Sequence, residues 1–161
     1  MALRKPLVIV SGQIQQLQAG DTVDAAVSGE VDVVSLTNDN AGSIVIGAPV
    51  YVSSADGVDL AQADAVATVE VLGLVQDTTI LTTASGNIQT DGILSASTAQ
   101  WDAVTGETGG LTAGGVYYLD SATAGMLTQT PPSTTGHFVL RVGKAISTTD
   151  MEISTLNPVK L

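Results

Sequence analysis

The sequence predicts an all-β protein: a compact sandwich or barrel built from two related β units, with one short helix near residues 98–104 and extended N- and C-terminal arms. Three observations support this class. The 161 residues are 44% hydrophobic but only 3% aromatic, so Val, Ile, Leu and Ala must fill the core. That aliphatic, Thr- and Gly-rich composition favours strands over long helices. Short apolar runs alternate with turns of Gly, Ser, Thr, Asn and Asp, the spacing of a sandwich or barrel. Finally, "GAPVYVSSADGVDL" from Gly47 is echoed by "GGVYYLDSATAGML" from Gly114.

The elements follow in order. Pro6 forbids a helix interior in "RKPLVIV", and Leu7 to Val10 are strand formers, so the segment reads as extended. Turns are expected at Ser11-Gly12 and Ala19-Gly20-Asp21. Val31, Val33, Val34 and Leu36 suggest a half-buried strand, closed by a loop over Asn38-Asp39-Asn40-Ala41-Gly42. Ile44 to Ile46 leads into Gly47, Pro49 to Val52 forms a strand, residues 53–57 turn, and Val58 and Leu60 begin the return. In "AQADAVATVEVLGLV" alanine favours helix, but the alternation of Val69, Val71 and Leu74 predicts a strand from about Ala67 to Val75.

Ser97 or Thr98 can N-cap a short helix over about Ala99 to Val104, stopped by Gly106, with Trp101 and Val104 on its buried side. The second unit matches the first in order. Val116-Tyr117 corresponds to Val50-Tyr51, Gly125 to Gly57, and "VLRVGKA" to "VEVLGLV", with Gly143 on Gly73. Two such units, each unable to bury its face alone, can share one core. Chance likeness between Gly-rich hairpins is the alternative. Val50, Val52, Val71, Val116, Leu119 and Val142 are the expected core. A last strand near Met151 to Ser154 precedes a tail broken by Pro158. The organisation expected is an N-terminal arm and first strands over residues 1–35, then a β body over 36–161. That body holds the repeat at about 44–80 and 111–148 and ends in the C-terminal tail.

Charge is the most unusual global feature. The net charge is −11, and Arg4, Lys5, Arg141, Lys144 and Lys160 are the only cations. None lies between Pro6 and Leu140, an interval that holds fourteen of the sixteen acids. A general bias towards acids for solubility is one reading. The other is that basic ends reach an acidic partner surface while the body repels its neighbours. Either way a polyanionic body argues against nucleic-acid binding, which needs clustered cations. The apolar run at the N-terminus is too short for a secretory signal, and no run approaches a membrane span, so neither export nor membrane association is expected. The absence of cysteine excludes disulfides and thiolate chemistry and leaves the compartment open.

Chemistry finds few candidates. His137, the one histidine, precedes Phe138 on an expected strand, and no G-x-S-x-G marks an activated serine. Asp56 and Asp59 suit turn capping better than glycoside cleavage, which usually adds stacking aromatics. "NDNAG" and "DGVD" offer oxygen ligands but not the EF-hand pattern. "TGETGG" and "TAGG" lack the Lys and following helix of a phosphate loop. No catalytic residue, metal site or cofactor is therefore expected.

The opening "ALRKPLVIVSGQIQQLQAGDTVD" resembles the start of small virion proteins of tailed bacteriophages. "VSGQIQQLQAGD" is similar to a segment of phage tail-fibre and structural proteins. "IVIGAPVYVSSADGVDLA", "VLGLVQDTTI" and "QWDAVTGETGGLTAGGVYYLDSATAGMLT" are like phage proteins of comparable size. The resemblance spans most of the chain, and its motifs are strand-and-turn phrases that carry no catalytic residue. It implies a structural protein of the virion. The favoured form is a capsid decoration (cement) protein on the outer surface of the head, a homo-oligomer, preferably a trimer, bound to the major capsid protein. A tail-fibre or baseplate adaptor is the other form. The expected contacts are the two arms: Leu3, Arg4, Lys5, Leu7, Val8 and Ile9 at one end, and Leu156, Val159, Lys160 and Leu161 at the other. Simple fraying of the termini is the competing reading for them.

Overall fold

The computed structural model describes residues 7–10, 13–16 and 31–161. The turns expected at Ser11-Gly12 and Ala19-Gly20-Asp21 lie outside the described residues. The described residues are mostly β, as expected, with one short helix among them. Strands β1 (Leu7–Val10) and β2 (Gln13–Gln16) form an antiparallel hairpin, with Ile9 registered opposite Ile14. The first unit is a closed barrel. It comprises β3 (Val33–Asn38), β5 (Pro49–Ser54), β6 (Gly57–Leu60), β7 (Gly73–Val75) and β9 (Ser85–Gln89), in the order β3-β6-β5-β7-β9. Beside it β4 (Ile44–Val45) pairs with β8 (Thr79–Ile80). β3, which includes residue 35, pairs with β9 over Val33 to Thr37.

The second unit is an open five-stranded sheet, in the order β10-β15-β14-β11-β12. Its strands are β10 (Gly92–Ser95), β11 (Val116–Leu119), β12 (Leu127–Thr128), β14 (Arg141–Ala145) and β15 (Asp150–Ile153). A separate pair, β13 (Phe138–Val139) with β16 (Val159–Lys160), ends the chain. One cluster of buried side chains, from Ile44 to Ile153, joins barrel and sheet.

Barrel and sheet can be compared strand by strand. Both place a hairpin, a glycine-bearing strand and a fourth strand in one order, β6-β5-β7-β9 and β12-β11-β14-β15. Gly47 N–H donates to the Val75 carbonyl at 2.9 Å, and Gly114 N–H to that of Ala145 at 2.8 Å. Val75 N–H returns to Ala48 O at 3.1 Å, and Ala145 N–H to Gly115 O at 2.9 Å. Val50 stands opposite Gly73, and Tyr117 opposite Gly143. The geometric partner of Val50 is therefore Tyr117, one residue on from the match drawn on the Val-Tyr letters. Likewise Gly125, with φ 74°, answers to Asp56, with φ 61°, rather than to Gly57. Strand side chains alternate, so one residue of offset exchanges inside for outside. Val50 and Tyr117 are both fully buried, whereas Tyr51 and Val116 are half-buried.

Two other expectations need correction. Val52 is 54% exposed rather than in the core. The strand expected over 67–75 begins only at Gly73. Upstream the backbone bonds locally: Thr68 Oγ1 donates to Gln62 O at 2.9 Å, and Val71 N–H to Val69 O at 2.9 Å. Those bonds hold a turn and a kink instead of a ladder. His137 lies just before β13, at the strand end.

Helix α1 (Thr98–Thr105) forms where the punctuation demands. Ser97 and Gln100 make a reciprocal capping box, and Gly106 ends the helix with φ 69°. Trp101 and Val104 are its buried residues. Trp101 bridges the units: its Nε1–H donates to Thr149 O at 2.9 Å, while its ring covers Gly47.

One backbone position works against the fold. Thr83 has φ 63° and is the third residue of a turn closed by Ala84 N–H to Leu81 O at 3.0 Å. A turn with positive φ there favours Gly, and a β-branched residue is strained. Relief of about 1–2 kcal/mol of strain, less the extra freedom of Gly when unfolded, should leave Thr83→Gly more stable by roughly 0.5–1 kcal/mol. A higher urea midpoint with an unchanged slope is the expected result.

Candidate interaction surfaces

The C-terminal segment is fixed by its backbone and displayed by its side chains. Leu156 N–H donates to Arg141 O at 3.1 Å, Leu161 N–H to His137 O at 2.9 Å, and Gly136 N–H to Leu161 O at 3.1 Å. Between these bonds Val159 pairs with Val139 and Lys160 with Phe138. On the other side of β13, Phe138 N–H donates to Ala63 O at 2.9 Å, tying the strip to the loop after β6. Yet Leu156 is 58%, Val159 62% and Leu161 43% exposed, and Lys160 is exposed as well. The structure thus brings the four C-terminal residues onto one strip. At the other end Leu7, Val8 and Ile9 lie in β1, while Leu3, Arg4 and Lys5 lie outside the described residues.

Sequence reasoning missed other displayed apolar residues. Ile93 is 51% and Ile146 53% exposed on the second unit. Ile93 stands opposite Glu152, which in turn faces Lys144 across the next pair. The adjacency Ile93-Leu94 was the available signal: in a strand one of two neighbours must point outward.

The carboxylates serve turns and loops. Asp39 accepts from Ser54 Oγ at 2.6 Å and Ser53 Oγ at 2.7 Å, and these bonds hold its carboxyl below the ordinary range. Asp150 accepts from Ser147 Oγ at 2.6 Å, Ser95 Oγ at 2.5 Å and Thr149 Oγ1 at 3.1 Å, with the same consequence. Asp102 receives the N–H groups of Gly109 and Gly110, and Asp77 that of Asn87. A depressed folded pKa means stability that is present above the unfolded value, about 3.9, and lost as pH falls through the folded value. Unfolding midpoints should therefore fall below about pH 4. Asp150→Asn should flatten that acid limb.

The second unit also holds a half-buried hydroxyl network. Tyr117 Oη donates to Glu107 Oε2 at 2.8 Å and accepts from Thr112 N–H at 2.9 Å. Gln129 Nε2 reaches Glu107 Oε1 at 2.6 Å and Thr112 Oγ1 at 2.9 Å. Burial pushes the Tyr117 hydroxyl above its ordinary range; the Glu107 carboxylate adds to this and the Thr112 N–H opposes it. A raised folded pKa gives stability that is complete below about pH 10 and lost as pH rises through the folded value. Tyr117→Phe should remove this alkaline dependence while lowering stability at neutral pH by about 1 kcal/mol.

His137 has a buried Nδ1 without a hydrogen-bond partner, and its carbonyl holds Leu161. No hydrogen bond joins its ring to a serine or a carboxylate among the described residues. Among those residues no group of three or more His, Cys, Asp and Glu is placed to hold a metal ion. No described helix is long and apolar enough to cross a membrane.

No protein-family model matches the chain, and no curated protein matches it. Among solved structures, a chain from "The capsid of Myoviridae Phage XM1" is similar, with a TM-score of 0.44 at 19% identity, over 89% of this chain and 93% of that one.

Proposed function

We propose that this chain is a non-enzymatic structural protein of a tailed-bacteriophage virion, and within that class a capsid decoration protein. It sits on the outer surface of the head as a homo-oligomer, preferably a trimer. There it clamps neighbouring major capsid subunits. The observation that carries the reading is the C-terminal strip, whose backbone is tied to the body while Leu156, Val159 and Leu161 face outward. A segment already ordered loses little freedom on binding, so its apolar area is available for affinity. The resemblance of the strand-and-turn phrases to phage virion proteins supplies the partner class. The two units, over about 44–80 and 111–148, are read as a repeat forming one stiff platform. The terminal segments make the intersubunit contacts, and linked contacts of modest strength add as avidity. A ligand that binds the assembled shell but not its free subunits stabilises the shell by mass action.

The test is retention on purified heads lacking this protein. Deletion of residues 1–6, and separately Leu156→Asp with Val159→Asp, should each abolish retention while leaving the circular-dichroism spectrum unchanged. Undiminished occupancy by both variants overturns the clamp. Immunogold label on the tail instead of the head replaces decoration with the tail-fibre or baseplate reading.

A further inference from the structure

We infer that the N-terminal hairpin is an exchanged arm, docking on the acidic, valine-bearing end of the barrel of a second copy of this chain. The inference goes beyond the decoration reading and does not depend on it.

Among the described residues β1 and β2 pair only with each other, in a sheet separate from the barrel and from the five-stranded sheet. An isolated two-stranded hairpin is marginally stable in water. β1 is moreover four apolar residues in succession, Leu7 to Val10, a pattern suited to strands covered on both faces. The hairpin therefore calls for a partner surface.

Charge says which one. Residues 1–16 carry Arg4 and Lys5 and no acid, whereas residues 31–140 carry eleven acids and no cation. The start of β3, the part of the body that follows the arm in the chain, combines that negative charge with bare apolar area. At the start of β3, Val31 is 41%, Val33 41% and Val34 39% exposed. Exposed Asp32 and Asp91 flank Thr90 at the same end: Thr90 N–H and Oγ1 both donate to Asp32 O, at 2.8 and 3.2 Å, and Val33 pairs with Gln89. Val33 and Val34 show on opposite faces of the strand, so exposed valine beside Asp32 and Asp91 offers apolar cover for β1 on either face and counter-charge for Arg4 and Lys5. Two bodies without the arm repel each other at long range; the arm, which carries two cations and no acid, reverses the sign. Residues 17–30 separate hairpin from body, and those fourteen residues can span up to about 45–50 Å, enough to reach a neighbour.

Analytical ultracentrifugation of the full chain tests this. The expected result is a concentration-dependent oligomer whose association weakens at least about tenfold between roughly 50 and 500 mM NaCl. Deletion of residues 1–16 should give a monomer with an otherwise unchanged circular-dichroism spectrum. Arg4→Glu with Lys5→Glu, and Asp32→Lys with Asp91→Lys, should each give monomers. Mixing these two variants should restore association, because a reversed arm then meets a reversed body. A full chain that is monomeric at every salt concentration overturns the exchange. So does an oligomer that survives the deletion, or a mixture that stays monomeric. Docking of the hairpin on its own barrel would appear as a monomer destabilised by the deletion, and overturns it too. Head binding by a monomeric chain would leave the decoration reading standing and remove the exchange; an oligomer that ignores heads would do the reverse.

Discussion

Replacing Trp101 with alanine is expected to cost about 3–5 kcal/mol, the range for truncating a large buried aromatic. Trp101 has no exposed surface, and its ring lies on Gly47, where an added Cβ would come within 2.9 Å of Cζ3. The surroundings cannot close over the space easily. One side is a backbone held at φ 81° by the bond from Gly47 to Val75, and the other is the turn between β14 and β15 that carries Thr149. Domains are stable by about 5–15 kcal/mol in all, so the variant should lose a large part of that margin. Its melting temperature should fall by roughly 6–20 °C. Trp101→Phe keeps much of the ring volume and loses the bond to Thr149, so it should cost markedly less. Urea and thermal unfolding followed by far-ultraviolet circular dichroism measure both. A Trp101→Ala protein as stable as the parent would mean that the helix does not join the two units.

The second large effect is expected at the paired glycines. A methyl group on Gly73 would drive into the Gln89 carbonyl oxygen, and one on Gly143 would lie 2.5 Å from the Glu152 carbonyl oxygen. Both obstacles are backbone of the neighbouring strand, held in register, and cannot rotate aside as a side-chain tip can. Gly73→Ala and Gly143→Ala should therefore each cost at least about 3 kcal/mol or prevent folding. Gly109→Ala is the control. Nothing lies within 4 Å of its added Cβ, so only the φ of 92° opposes it, at about 1–2 kcal/mol. Equal losses at all three sites would remove the argument from close strand approach. A disproportionate loss at both Gly73 and Gly143 would show the two units built on the same constriction.

Much of this architecture was legible in the letters, and the exceptions have physical causes. The helix could be placed because Ser97, Gln100 and Gly106 each perform a local task that few other residues perform. The hairpin of β5 and β6 was readable from Pro49, the alternating apolar residues and Gly57. Strands β9 and β10, by contrast, are spelled "SGNIQ" and "GILS", one with a single strong apolar residue and the other with two in succession, so neither shows a run of alternation. Their pairing comes from neighbours far along the chain, β3 and β7 for one and β15 for the other, and local pattern carries no trace of that. The one-residue offset between the units arose similarly. The letters Val-Tyr recur, but the geometry counts from the positive-φ glycines, Gly47 and Gly114, three residues before Val50 and Tyr117. At the C-terminus the tail was expected as a free extended arm. Its amide hydrogens instead find Arg141 and His137, partners that no tail sequence announces.

The placement of Trp101 also supplies an optical reporter. It is the only indole in the chain, and it sits on the seam between barrel and sheet. Its emission should be blue-shifted while the halves are joined and move to the red when water enters that seam. A single red shift coincident with the loss of ellipticity would mean that the halves part and melt as one body. A red shift at lower denaturant would reveal a hinge opening before either half comes undone.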